Sequence, residues 1–230
     1  MNFEGLVVLI TGASKGIGKA LANILHEYGA TVIGVYNSTK ITDVLYDAYK
    51  CDISNEKEIT ELFDNIILKH EKIDVVVNAA ALSLDSDIYE KSKDEFMKVL
   101  EVNLVGTFLM CKYASLKMER GVIINMSSTE ASDTYSILSM DYAASKAGVE
   151  NLTKNLANRF PNLKICALAP NWVDTETVLE MEPTYLENEM KRVGQEKLIK
   201  KENVALKIIE IIINDDIRSG EIIRMGGFNE

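Results

Sequence analysis

The chain has 230 residues, 47% of them hydrophobic, with 25 basic against 35 acidic side chains and a formal net charge of −10. That length suits one domain with a sizeable core, and the acidic balance makes nucleic acid a poor electrostatic partner. Three scattered cysteines with no C-x-x-C pair, and His26 and His70 as the only histidines, leave no cluster for a metal centre.

From the N-terminus, apolar runs of strand length alternate with helical patterns. "LVVLIT" (6–11) reads as a buried strand rather than a secretory signal, since Glu4 interrupts the start; a cytoplasmic protein is expected. A helix follows over about 16–28, then strand "TVIGVY" (31–36) and strand "LYDAYKCD" (45–52). Residues 37–44 leave no room for a full crossover helix, so a short loop is expected. The next helix runs over about 55–70, with Ser54 as its expected cap and His70 as a solvated cation at its end. Strand "IDVVVNAA" (73–80), a long helical region over 93–118, strand "GVIINMSS" (121–128) and a helix over 140–158 come next. Strand "LKICALAP" (163–170), a polar segment, a helix over 202–214 and strand "GEIIRM" (220–225) complete the chain. No apolar run is long enough to span a membrane. Near-continuous Val and Ile in the strands predict a parallel sheet covered on both faces: a single, seven-stranded, doubly wound α/β domain over 1–230, with ligands beyond the carboxyl ends of the strands.

"LVVLITGASKGIGKAL" (6–21) carries two overlapping motifs. Gly12-Ala13-Ser14-Lys15-Gly16 fits the G-x-S-x-G turn of a hydrolase, but that chemistry needs an acid and then a histidine later in the chain. His26 and His70 both fall in helical patterns, so the hydrolase reading fails. Gly12, Gly16 and Gly18 instead fit a dinucleotide turn, in which glycines allow close approach of phosphate and the following helix N-terminus attracts it.

The spacing T-G-x-x-x-G-x-G at Thr11–Gly18 resembles the short-chain dehydrogenase/reductase family, and further motifs follow in the family's order. Asp52-Ile53 resembles its acidic dipeptide after the third strand. "VVNAAA" (76–81) resembles its N-N-A-G, with Ala79 for the second Asn and Ala81 for Gly. Asn103 in "EVNLVG", Ser128 after "INMS", and Tyr142-x-x-x-Lys146 resemble its reacting residues. "APNWVDT" (169–175) resembles its P-G segment with Asn171 for Gly, and "SGEIIRMGG" (219–227) its last strand. "TGASKGIG" and "YAASKAG" look most like 3-oxoacyl-carrier-protein reductases.

The resemblance implies a nicotinamide cofactor. Gly12, Ser14, Lys15, Gly16, Ile17 and Gly18 would cradle it, Asp52 and Ile53 would meet its adenine, and Asn78, Ala79 and Ala80 would line the fourth strand's end. Pro170, Val173 and Thr175 would close the far side. Tyr142 would be the general acid, Lys146 would also bond the nicotinamide ribose, Ser128 would polarise the carbonyl and Asn103 would hold a water. A phenol titrates near 10, and a lysine one helical turn away favours the phenolate. Thr129 stands beside Ser128 and could supply the hydroxyl instead. Tyr135 has no lysine four residues on and is expected to line the substrate pocket.

NADP (NADPH) is expected over NAD. The second strand ends on Asn37 and Ser38 with no acid to claim a free ribose hydroxyl, and Lys15 and Lys40 can approach a 2′-phosphate. The expected activity is reduction of a small-molecule carbonyl, or oxidation of the alcohol, with a 3-oxoacyl thioester as the leading substrate. An acidic chain argues against a carrier-protein substrate unless Lys191, Arg192, Lys197, Lys200 and Lys201 form a basic patch. No membrane partner and no metal are expected, and a homotetramer or homodimer is implied by the resemblance. Residues 175–201 are expected to cover the substrate. The alternative reading is a catalytically silent redox sensor that binds a dinucleotide.

Overall fold

The computed structural model describes residues 2–42 and 45–226. Asp43 and Val44 of the short connection, and Gly227 of the last motif, lie outside them. Seven parallel strands form one sheet in the order β3-β2-β1-β4-β5-β6-β7. They are β1 (Val7–Thr11), β2 (Thr31–Tyr36), β3 (Asp47–Lys50), β4 (Val75–Asn78), β5 (Gly121–Met126), β6 (Leu163–Pro170) and β7 (Ile222–Met225). All five residues of β1 are buried, and its side chains alternate between two apolar layers. Val8 and Ile10 join one cluster with Leu21, Leu25, Val204 and Ile208. Val7 and Leu9 join the other with Ile59, Phe63, Met110 and Ile165. This is the pattern of a sheet buried on both faces.

Helices α1 (Gly16–Glu27) and α8 (Lys201–Ile213) pack together on one face. The other face carries α2 (Glu56–His70), α3 (Lys93–Leu100), α4 (Thr107–Lys117) and α5 (Met140–Arg159). Two short helices, α6 (Glu176–Leu179) and α7 (Pro183–Arg192), lie between β6 and α8. Within the described part of the connection between β2 and β3 there is no helix, as its length requires.

Three local expectations are corrected. The cap of α2 is Asn55, whose side chain accepts the backbone N–H groups of Lys57 and Glu58; Ser54 bonds Asp52 instead. His70 is not solvated: its side chain is 12% exposed and its Nε2 lies 2.8 Å from Asp47. Finally, the helical region expected over 93–118 forms, with α3 and α4 joined through a π-helical stretch, Glu101–Gly106, but the expectation that no run is long enough to span a membrane does not hold for it. The resulting rod, Lys93–Lys117, is long and apolar enough by length and composition to cross a membrane. Here it is a core helix, with α3 against α5 and α4 against α2.

Sheet order reverses at β1, where β2 lies to one side and β4 to the other. Such a reversal opens a crevice at the carboxyl ends of the strands. The segments leaving β1 and β4 meet there.

Candidate active site

The crevice is a cleft of about 860 Å³. Its floor is the turn after β1. Gly12 has φ +68°, and a Cβ there would fall 2.8 Å from the backbone of Ala80, so only glycine lets the β4 end come this close. Thr11 completes the junction by accepting the Ala80 N–H on its Oγ1 at 3.1 Å. A Cβ on Gly18 would sit 2.4 Å from the Gly12 carbonyl oxygen, which fixes how tightly α1 follows the turn.

The first N–H groups of α1 face this cleft without partners inside the helix. The Gly16 N–H donates to Glu176 Oε2 at 2.7 Å. Burial pushes the Glu176 carboxyl up, but hydrogen bonds from Lys201 and from backbone N–H groups, Gly16 among them, overcome it and hold it at about 2. The start of α1 therefore already binds an oxyanion, which is the chemistry a pyrophosphate would meet there.

At one end lie Asn37, Ser38, Asp52 and Ile53, as the motifs imply. Burial raises the Asp52 carboxyl, but hydrogen bonds from Ser54 and Asn37 and the nearby Lys98 ammonium bring it below its usual range. Lys98 itself lines the cleft. Lys15 does not reach toward Asn37: its Nζ donates to Thr177 Oγ1 at 2.9 Å, because the 175–178 segment offers a hydroxyl across the glycine turn. Lys40 is not among the lining residues.

The residues that the motifs assign to the reaction meet at the other end. Tyr142 and Lys146 sit one turn apart on α5, with Lys146 Nζ 5.3 Å from the phenol ring centroid. Lys146 is 2% exposed and its ammonium donates to the Met126 carbonyl at 2.7 Å. Burial pushes it down to about 8. The Tyr142 phenol is pushed above its ordinary value, first by burial and then by Glu130, against a lowering hydrogen bond from Ser128. The lowering expected from Lys146 is not found in these surroundings, because desolvation outweighs it and that ammonium is turned to a main-chain carbonyl. Ser128 and Thr129 both line the cleft, and it is the Ser128 hydroxyl that acts to lower the phenol.

Two motif residues are placed elsewhere. Asn78 does not line the cleft; its amide donates to Asn125 Oδ1 at 2.8 Å inside the core, because the two residues are register partners on β4 and β5. Asn103 is fully buried in the π-helical stretch, where its side chain both accepts from and donates to the Leu82 backbone and also donates to Ser145. It staples the strand-four loop to α5. Gly12, Ser14, Lys15, Gly16, Ile17, Gly18, Ala79, Ala80, Pro170, Val173 and Thr175 all line the cleft. Tyr135 does not; it is 63% exposed with the Arg192 guanidinium 4.3 Å above its ring. Of the covering segment, Thr175 to Tyr185 contributes lining residues. Three of its five basic candidates are already paired: Arg192 with Glu189, Lys200 with Asp174 and Lys201 with Glu176.

Sequence reasoning missed Glu176, Lys98, Asp85, Glu130 and Tyr185. Glu130 could have been found from its place two residues beyond Ser128. The others reach the cleft through tertiary packing that no local pattern announces.

A family model described as short chain dehydrogenase matches residues 6–185. Among curated proteins, the chain is similar to the 3-oxoacyl-[acyl-carrier-protein] reductase FabG of Thermotoga maritima, 30% identical across 99% of this chain and 98% of that one. It is also similar to 3beta-hydroxysteroid dehydrogenase 1 of Eggerthella lenta, 33% identical over 76% of this chain and 73% of that one. Among solved structures, the ligand-free aldohexose dehydrogenase of Thermoplasma acidophilum superposes with a TM-score of 0.87 at 28% identity, covering 98% of this chain and 94% of that one.

Proposed function

Since the chain belongs to the short-chain dehydrogenase family and is an NAD(P)-dependent oxidoreductase, we propose that it is an NADPH-dependent carbonyl reductase, also able to oxidise the corresponding alcohol. The observation that carries this reading is the convergence of Ser128, Tyr142 and Lys146 on one cleft, with Lys146 beneath the phenol ring at 5.3 Å. When bound, the nicotinamide would supply the hydride. Tyr142 gives its proton to the carbonyl oxygen and Ser128 donates a hydrogen bond to the same atom as charge builds on it. Lys146 favours the phenolate left behind once its ammonium turns from the Met126 carbonyl toward that oxygen. Gly12 to Gly18 and the start of α1 hold the pyrophosphate in place of the Glu176 carboxylate.

The choice of NADPH rests on the end of β2. Asn37 and Ser38 line the cleft there and offer hydrogen bonds, and Lys98 adds positive charge to the same end. An NAD-selective site would place an acid at that position, which a phosphate would meet with repulsion. Asn37→Asp is expected to lower the ratio of kcat/KM for NADPH over NADH, and Lys15→Ala to lower it less, since Lys15 is bonded to Thr177. A wild type that prefers NADH, or an unchanged ratio in Asn37→Asp, contradicts the assignment. Three buried, free cysteines support a reducing, cytoplasmic setting. Exposed apolar side chains on the long rod, Val105, Phe108 and Leu116, support assembly into a homodimer or homotetramer.

A further inference from the structure

Three separate segments bring polar groups to the substrate end of the cleft. The loop after β4 contributes Ser83 and Asp85, the segment after β5 contributes Glu130, Ser136 and Ser139, and α7 contributes Tyr185. Glu130 is fixed at both ends. Its backbone N–H donates to Ser128 Oγ at 3.2 Å, and its Oε2 accepts from Ser139 Oγ at 3.0 Å. It stands close enough to Tyr142 to raise the phenol. Burial raises the Glu130 carboxyl itself. Asp85 accepts from Ser83 Oγ at 2.6 Å. Tyr185 feels both acids: burial, Glu189, Asp85 and Glu130 together push its phenol to about 12. Arg192, the nearby cation, spends itself on Glu189 and the Tyr135 carbonyl.

We propose that Glu130 selects the substrate by accepting a hydrogen bond from a hydroxyl group close to the reacting carbon, so that the enzyme acts on a polyhydroxylated molecule of the aldose or polyol class. This rests on the reading that Ser128 and Tyr142 face the reacting carbonyl. A carboxylate has room for about four hydrogen bonds, and Ser139 supplies one. An acyl chain laid against Glu130 would desolvate that carboxylate and give nothing in return. A sugar or polyol supplies donors. It also supplies acceptors, which the hydroxyls of Ser136 and Tyr185 can use, whereas a cationic amine offers donors alone. Met181, Val178 and Trp172 also line the cleft and suit the carbon skeleton. Of the basic residues that could meet the phosphate of a carrier-bound thioester, Arg192, Lys200 and Lys201 are already paired with acids.

The test uses the full chain with NADP, comparing kcat/KM for glucose, mannose and galactose, for cyclohexanol, for an amino alcohol and for a 3-hydroxybutyryl thioester of N-acetylcysteamine. Wild type, Glu130→Gln and Glu130→Leu are run side by side. The expected result is turnover of at least one hexose ahead of the other three probes. Glu130→Leu then loses on the order of 10²-fold in kcat/KM for that hexose, chiefly through KM, and gains activity on cyclohexanol. Glu130→Gln, which keeps an acceptor oxygen, falls between. Preference for the thioester or the amino alcohol overturns the proposal, as does an equal loss on hexose and cyclohexanol in Glu130→Leu. Turnover of cyclohexanol or thioester without any hexose also overturns it but leaves the carbonyl reductase reading standing. Absence of turnover on every probe and on activated ketones overturns both.

Discussion

Replacing Tyr142 by Phe is expected to remove nearly all turnover, on the order of 10² to 10⁴-fold in kcat, while NADPH affinity stays close to that of the wild type. The ring stays in place and only the hydroxyl is lost. In the structure that residue lines the cleft with Ser128, and its ring lies over Lys146. Its surroundings hold the phenol protonated, since burial and Glu130 both raise it. That suits a proton donor in the reductive direction. Steady-state kinetics with an activated ketone, together with calorimetric titration of NADPH, separate the two quantities. Retention of most of the kcat in the Phe variant means that the proton comes from elsewhere.

The second large effect distinguishes neighbours. Ser128→Ala is expected to cost about 3 kcal/mol of transition-state stabilisation, roughly 10²-fold in kcat, because one donor aimed at a developing oxyanion is worth that much in a water-poor site. Thr129→Val is expected to change kcat far less. Thr129 is 2% exposed, and its main-chain carbonyl holds the turn by accepting from Ser132, Asp133 and Thr134. Valine keeps that backbone and nearly the same shape. A larger loss in Thr129→Val than in Ser128→Ala would move the carbonyl-polarising role to Thr129.

How much of this was legible in the sequence depended on whether the cause was local. Strand and helix order followed from periodicity, and even the lack of a helix in the described part of the connection between β2 and β3 followed from chain length. Gly12, Gly16 and Gly18 announced an anion-binding turn because backbone conformation and close approach are written into the residue type. The pair Tyr142 and Lys146 was readable because helical spacing places them on one face. Long-range partners were not readable. Asn78 looked like a cleft residue, but its amide is claimed by Asn125 across the sheet register. Lys15 sits in the expected motif, yet a hydroxyl brought in from residue 177 decides where its ammonium points. His70 fits a solvated helix end until β3 brings Asp47 beneath it. The same holds for the helix cap: Asn55 and Ser54 are equally good cap residues, and Ser54 is drawn away by Asp52. The acidic character of the substrate end arises from three segments converging, so no local pattern announced it, and the thioester expectation came from the resemblance alone.

The central claim is that this cleft performs hydride transfer rather than merely holding a dinucleotide. The most direct measurement follows NADPH absorbance with wild-type protein and a panel of activated ketones, with NADPH affinity measured on the same preparation. The account predicts saturable NADPH consumption with at least one ketone, and its loss in Tyr142→Phe at unchanged affinity. Tight NADPH binding with no consumption on any ketone would contradict it and identify the protein as a sensor of the cofactor.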